Sequence, residues 1–160
     1  MRERPLSVLW LQSGGCGGCT MSMLCAESPG LPDLLESAGI RLLWHPSLSE
    51  ETGAEVTDLF ARVLSGAEPL DVLCVEGSLL RGPNGTGRFH VLAGTGRPTV
   101  EWVRELASVA RHVVAVGTCA AYGGITAAGR TSPTPAACNM RGRCAAARWV
   151  GPSAPVPACR

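Results

Sequence analysis

Four short apolar runs occur along the chain, separated by segments in which apolar residues recur at helical spacing. The runs predict strands over Leu6 to Gln12, Ile40 to Trp44, Leu70 to Glu76 and Val113 to Val116. The third run is almost continuously apolar, which is typical of a strand buried on both faces of a parallel sheet. Strands alternating with helical segments predict an α/β fold, a flavodoxin-like parallel sheet with helices on both faces.

The sequence marks its helical segments with unequal clarity. Thr52-Gly-Ala-Glu55 has the pattern of a capping box, and apolar residues follow at helical spacing up to Gly66. A further helix is predicted after Pro98. The stretch Thr20 to Glu27 favours a helix that two prolines interrupt, so Asp33 to Ser37 is predicted as a short turn.

Two stretches show no clear element. Leu79 to Gly96 is glycine-rich and predicts a long loop at the end of the third strand. From Ala127 onward the chain is rich in Pro, Ala and Gly, a composition that is poor at forming its own core. We therefore expect a domain over residues 1–126 and an irregular segment over 127–160 that covers the sheet edge or packs against another subunit.

Composition excludes several classes of function. The 160 residues suit one domain, and a net charge of +1 offers no excess charge for binding nucleic acid. All 14 Lys or Arg residues are Arg, which excludes a Walker A phosphate loop and a Schiff-base lysine. No apolar stretch suits a membrane span or a signal peptide, so we expect a cytoplasmic location, with any membrane association made through partners.

The cysteines carry the clearest chemical signal. The chain has eight, and two of them lie at C-x-x-C spacing in the glycine-rich segment Gly14 to Cys19, directly after the first strand. Cys119 follows the fourth strand in the same way. Because parallel strands align their carboxyl ends, these distant thiols are expected at one edge of the sheet. The neighbouring glycines let the backbone approach a bulky inorganic centre closely.

Three other functions of these cysteines account for their spacing less well than an iron–sulfur cluster. A thioredoxin-like redox pair would use Cys16 and Cys19 but leave Cys119 without a role. A structural zinc site usually has two pairs of closely spaced cysteines, and only one such pair exists here. A secreted disulfide framework is typical of smaller chains with poorer cores. The spacing therefore favours an iron–sulfur cluster.

Three motifs resemble one known family. Gly14-Gly-Cys-Gly-Gly-Cys19, Val75-Glu-Gly-Ser78 and Gly117-Thr-Cys-Ala-Ala-Tyr-Gly-Gly124 are similar to the amino-terminal, flavodoxin-like domain of nickel–iron hydrogenase small subunits. The resemblance extends from Leu6 to about Ile125. Ser13 to Leu24 is most similar to the branch that oxidises hydrogen at trace levels.

The resemblance implies a single proximal [4Fe–4S] cluster. Its four thiolate ligands would be the cysteines of the two glycine-rich motifs and one near the end of the chain: Cys16, Cys19, Cys119 and Cys159. Cys159 follows Pro-Ala where the family has Pro-Gly, so Cys138 and Cys144 stay alternatives for the fourth position.

The same resemblance implies a role in electron transfer. The chain would relay electrons from hydrogen oxidation at the nickel–iron site of a large partner subunit, within a larger hetero-oligomer, and would be inactive alone. It would lack the family's carboxyl-terminal cluster domain, and its end just after Cys159 favours a fragment. The alternative is a stand-alone or complex I-like single-cluster carrier, although the complex I version has adjacent cysteines at the first motif.

Glu76 is the remaining candidate, because a carboxylate that ends an apolar strand is costly to bury without partners. The resemblance implies a place at the subunit interface and a part in proton transfer. The alternative is a local cap on the backbone amides of Gly77 and Ser78.

Overall fold

The computed structural model of the protein describes residues 4–127 and 137–138, and within them a four-stranded parallel sheet is the central element. The strands are β1 (Leu6–Gln12), β2 (Ile40–Trp44), β3 (Val72–Glu76), a two-residue β4 (Leu79–Leu80), β5 (His112–Val116) and a two-residue β6 (Ala137–Cys138). The sheet has the order β2-β1-β3-β5, and β4 pairs with β6 in antiparallel fashion. The predicted parallel α/β fold is confirmed.

Five helices and one 3-10 turn connect these strands in the described part of the chain. They are α1 (Gly18–Leu24), α2 (Leu31–Ser37), α3 (Ala54–Leu64), α4 (Thr99–Val109), α5 (Gly117–Tyr122) and the turn Gly124–Ala127. Helix α1 follows the loop after β1, and α5 follows β5 directly, so both begin at the carboxyl edge of the sheet.

The larger core lies between the sheet and helices α3 and α4. Phe60 of α3 and Leu106 of α4 are fully buried there against strand residues such as Leu73. The Phe60 ring packs between two tryptophans, with centroid distances of 6.2 Å to Trp44 and 5.4 Å to Trp102. Each such side chain contributes about 1.5–3 kcal/mol by burial, so this face anchors the sheet.

The opposite face of the sheet is covered more thinly. Val8, Trp10 and Cys74 form a small core there, and no residue of α2 is buried. An apolar cavity of about 250 Å³ lies between α2 and the strands. Burial raises the pKa of the Cys74 thiol to about 11, so this cysteine is a protonated packing residue.

Local predictions differ from the structure at several points. The short turn predicted over Asp33 to Ser37 is wrong, because α2 is a helix of two turns that begins at Leu31. Pro32 occupies its first turn, where a missing N–H costs no hydrogen bond. The capping box is half formed: the Glu55 carboxylate accepts the Thr52 N–H at 3.2 Å, but no side chain caps the helix in return. The predicted loop after β3 begins with the short strand β4.

An ion pair between the exposed Arg4 and the buried Asp71 fixes the start of β3. Arg4 donates to both carboxylate oxygens of Asp71, at 2.6 and 2.8 Å, and Ser7 donates its amide and its hydroxyl to the same group at 3.0 and 2.8 Å. The Arg4 hydrogen bonds, with those of Ser7, hold the pKa of Asp71 well below its usual range in spite of its burial. The pair ties the chain before β1 to the start of β3.

Candidate metal centre

Two loops at the carboxyl edge of the sheet are joined backbone to backbone. Past the end of β1, Ser13 donates its N–H to the Glu76 carbonyl at 2.8 Å. Gly14 and Ser78 exchange two further backbone hydrogen bonds, at 3.0 and 2.8 Å. Gly77 has a φ of 83°, and a Cβ there would lie 2.9 Å from the Gly14 carbonyl carbon. Only glycine therefore allows the loops to approach this closely.

Each of three cysteine sulfurs lies against a glycine. A Cβ on Gly18 would lie 3.1 Å from the Cys16 sulfur, and a Cβ on Gly124 would lie 2.8 Å from the Cys119 sulfur. A Cβ on Gly117 would overlap the sulfur of Cys19. The missing side chains thus leave the room that the three thiols occupy.

The structure brings Cys16, Cys19 and Cys119 to one edge, as the sequence predicted. Burial raises the pKa of the Cys19 thiol, and the charges of Glu76, Cys16 and Cys119 raise it further. The three thiols therefore lie within electrostatic range of one another. Among residues 4–127 and 137–138, no three His, Cys, Asp or Glu side chains are grouped as they would be around one metal ion.

The donor set and its glycine surroundings fit an iron–sulfur cluster. Thiolates are the usual ligands of such clusters, and each cubane ligand binds a different iron, so the ligands spread around a wide centre. Glycines beside all three sulfurs provide that width.

The remaining cysteines are placed less directly. Cys159 and Cys144 lie outside the described residues. The backbone of Cys138 pairs with Leu79, just beyond the end of β3, which puts it near the same edge of the sheet. Cys25 is exposed at the end of α1, and Cys74 lies in the small core on the far face.

Glu76 is buried beneath the first turn of α1, with 3% of its surface exposed. Its carboxylate accepts the Trp10 Nε1–H at 3.1 Å, the Gln12 Nε2–H at 3.2 Å, the Thr20 amide at 3.1 Å and the Thr20 hydroxyl. Burial alone would raise its pKa, but the bonds from Thr20, Gln12 and Trp10 outweigh burial and lower it. The alternative role, a cap on the amides of Gly77 and Ser78, is wrong for Ser78, because that amide donates to the Gly14 carbonyl.

His45 belongs to the same network, a role that the sequence did not reveal. The side chain is fully buried, and its ring packs 5.1 Å from the Trp10 ring between centroids. Ser47 donates its amide to Nδ1 at 3.0 Å, so the network assigns the ring proton to Nε2, which donates to the Thr20 hydroxyl at 3.3 Å. Burial lowers the pKa of His45, which keeps it neutral. The one sequence feature that pointed to such a network was Thr20, a hydroxyl residue directly after Cys19.

Exposed apolar side chains surround this edge of the sheet. Ile125 is 91% exposed, and Met21, Tyr122 and Phe89 are each more than half exposed. His90 lies in the loop after β4, half-buried, with its Nδ1 3.2 Å from the Ser13 hydroxyl. An apolar rim beside a candidate redox centre is typical of a surface that another protein covers.

A family model decides the relationship. The model described as "NADH ubiquinone oxidoreductase, 20 Kd subunit" matches residues 16–159. The chain belongs to this family. Within it, the chain corresponds to the amino-terminal domain of nickel–iron hydrogenase small subunits, which confirms the resemblance seen in the sequence.

Curated relatives are hydrogenase small subunits. The chain is 35% identical over 132 residues to the Hydrogenase-2 small chain of Escherichia coli (strain K12), covering 82% of this chain and 34% of the relative. It is 32% identical over 131 residues to the F420 non-reducing hydrogenase I small subunit of Methanosarcina mazei, covering 76% of this chain and 33% of that relative. The chain thus spans about a third of the length of these relatives.

Solved structures agree with this relationship. The [NiFeSe] hydrogenase from Desulfovibrio vulgaris Hildenborough matches with a TM-score of 0.70 and 33% identity, over 84% of this chain and 47% of that one. The actinobacterial-type NiFe-hydrogenase from Ralstonia eutropha H16 matches with a TM-score of 0.69 and 31% identity, over 85% of this chain and 42% of that one. This small-subunit domain is therefore part of a family of hydrogenase components with a flavodoxin-like sheet.

Proposed function

We propose that this domain transfers electrons in a nickel–iron hydrogenase, taking them from hydrogen oxidation in a large partner subunit. The observation that carries the proposal is the convergence of Cys16, Cys19 and Cys119, each beside a glycine, at the carboxyl edge of the sheet. The chain supplies no second C-x-x-C pair that could hold nickel, so the domain is expected to be inactive alone.

Cys16, Cys19 and Cys119 would hold a proximal [4Fe–4S] cluster, with Cys159 as the fourth ligand, and the cluster would supply one-electron redox chemistry. The protein's own part is to orient the thiolates. The glycine-lined loops bring the sulfurs into place, and the hydrogen bonds from Thr20 to Glu76 anchor the first turn of the helix that carries Cys19. Burial and nearby charge then set the electrostatic environment.

The partner would cover the apolar rim. Met21 lies on α1 and Tyr122 on α5, the helices that carry Cys19 and Cys119, so a subunit docked on them would approach the exposed Cys16. None of the described helices is long and apolar enough to span a membrane. The location that we propose from the sequence is the cytoplasm, with any contact to a membrane made by other subunits.

The test is an anaerobic purification of the chain from its native host, followed by measurement of iron, sulfide, nickel and zinc. We expect a larger copurifying chain, nickel, and more iron than one cluster needs. A Cys16→Ser variant should lower iron and sulfide, whereas Cys25→Ser, which changes an exposed cysteine outside the group of three, should leave both unchanged.

Other outcomes would overturn the proposal in different ways. Four irons and four sulfides per chain without nickel or a larger partner would indicate a single-cluster carrier or a complex I relative. Zinc alone would mean that the cysteines form a structural site.

A further inference from the structure

The Glu76 carboxylate is surrounded by groups that can only donate to it. The Trp10 Nε1–H and the Thr20 amide have no acceptor capacity. The Gln12 amide is oriented by its own contact, because its Oε1 accepts the Ser47 hydroxyl at 3.4 Å, which leaves Nε2 to donate to Glu76. Three of the donors, Trp10 Nε1–H, Gln12 Nε2–H and the Thr20 hydroxyl, converge on Oε2, so a proton on that oxygen would face one of their hydrogens.

The Thr20 hydroxyl is also held as a donor to Glu76. It receives the Gln12 Nε2–H at 2.8 Å and the His45 Nε2–H at 3.3 Å, so its own proton points to the carboxylate. The His45 proton is fixed on Nε2 because the Ser47 amide occupies Nδ1. The Ser47 amide therefore determines which atom donates in each hydrogen bond from His45 through Thr20 to Glu76.

The carboxylate so held lies next to the backbone of a proposed ligand. Its Oε1 accepts the amide of Thr20, the residue directly after Cys19, at 3.1 Å. A fixed anion beside a redox centre stabilises the more positive, oxidised form of that centre.

From this geometry we propose that Glu76 is a fixed negative charge that lowers the reduction potential of the cluster, and that His45 positions it through Thr20. The inference rests on the proposed function, since it needs a cluster at Cys16, Cys19 and Cys119. It assigns Glu76 an electrostatic role in place of proton transfer, because a proton carrier must accept a proton and release it.

The direct test is the midpoint potential of the proximal cluster in the purified hydrogenase complex, measured by a redox titration followed by electron paramagnetic resonance. Glu76→Gln removes the charge with little change in shape. We expect the potential to rise enough to change the oxidised-to-reduced ratio at a fixed potential about tenfold, about 59 mV for a one-electron couple. Glu36→Gln removes an exposed carboxylate of α2 and should leave the potential unchanged.

A matched pair of variants tests the part played by the hydroxyl. Thr20→Ser keeps the donor and should behave as the unchanged protein. Thr20→Val removes it, so Glu76 becomes easier to protonate and the potential should rise as the pH falls. The titratable groups facing Glu76 are Cys19 and His45. A His45→Phe variant, measured alongside, shows whether the pH dependence comes from the imidazole.

An infrared difference spectrum of the unmutated complex is a second test, independent of the redox titration. A protonated carboxyl band that appears on reduction and disappears in Glu76→Gln would overturn the inference, as would an unchanged potential in a Glu76→Gln complex that retains its cluster. Absence of that band supports it, even if Glu76→Gln fails to retain the cluster. A complex without nickel or iron would instead contradict the proposed function.

Discussion

Gly124 offers the sharpest test of the glycine-lined site. Its φ is 57°, and a Cβ would lie 2.8 Å from the Cys119 sulfur and 3.1 Å from the Cys119 Cβ. Gly124→Ala therefore adds two costs, a left-handed backbone at a residue with a side chain and a collision with a proposed ligand. Helix α5 cannot easily move away, because Ala120 next to Cys119 is buried.

The size of the collision follows from these distances. Non-bonded atoms of this kind prefer about 3.5–4.0 Å, so the sulfur must move by roughly 0.7 Å or more. Metal–ligand distances tolerate only about 0.2 Å. The backbone cost is about 1–2 kcal/mol. We expect Gly124→Ala to remove most of the cluster, whereas backbone strain alone would leave it bound.

Two glycines in open space are the matched controls. Gly17 lies between the first two cysteines with a φ of 70°, and Gly39 lies far from the site with a φ of 63°. A Cβ at either position meets nothing within 4 Å, so alanine there introduces the strain without the collision. The assay is iron and sulfide per chain after anaerobic purification of the complex.

The outcome should be graded. Gly18→Ala, with a Cβ 3.1 Å from the Cys16 sulfur, should reduce cluster content least, and Gly117→Ala should abolish it. Full cluster content in Gly124→Ala, or an equal loss in Gly17→Ala, would refute the view that these glycines make room for the ligand sulfurs.

Three further predictions concern the fold and the fourth ligand. Asp71→Asn should lower the free energy of unfolding by about 1.5–3 kcal/mol in a denaturant titration, because the hydrogen bonds that Ser7 donates to the buried carboxylate lose their charged acceptor. Folding lowers the pKa of Asp71, so the ionised carboxylate stabilises the fold fully above the pKa of the unfolded chain, about 3.9, and this stabilisation is lost as the pH falls below that value. A stability difference between Asp71→Asn and the unchanged protein that does not vary with pH would contradict this. Leu106→Ala, at a fully buried core position, should cost about 2–5 kcal/mol in the same titration, and a cost below 1 kcal/mol would contradict the packing described. Cys159→Ser should reduce iron content more than Cys138→Ser, and the reverse result would assign the fourth ligand to Cys138.

The sequence by itself determined the strand pattern and three proposed ligands. Apolar runs that end at glycine-rich cysteine motifs predict both buried strands and their common edge, since parallel strands align their carboxyl ends. Such signals are local, so Cys16, Cys19 and Cys119 could be singled out from their places after two strands, and the family resemblance implied their role as ligands. The helix α2 was missed for a local reason as well, because Pro32 is compatible with a first turn but reads equally as a helix breaker.

Only the tertiary structure decided how Glu76 is held. Its donors come from β1, from the first turn of α1 and, through Thr20, from His45 after β2. No periodicity links these positions, because the sheet order β2-β1-β3 brings them together across up to 66 residues of chain. The pairing of each sulfur with its own glycine has the same origin: Gly117 contacts Cys19, almost a hundred residues earlier, because β1, β3 and β5 are neighbours in the sheet.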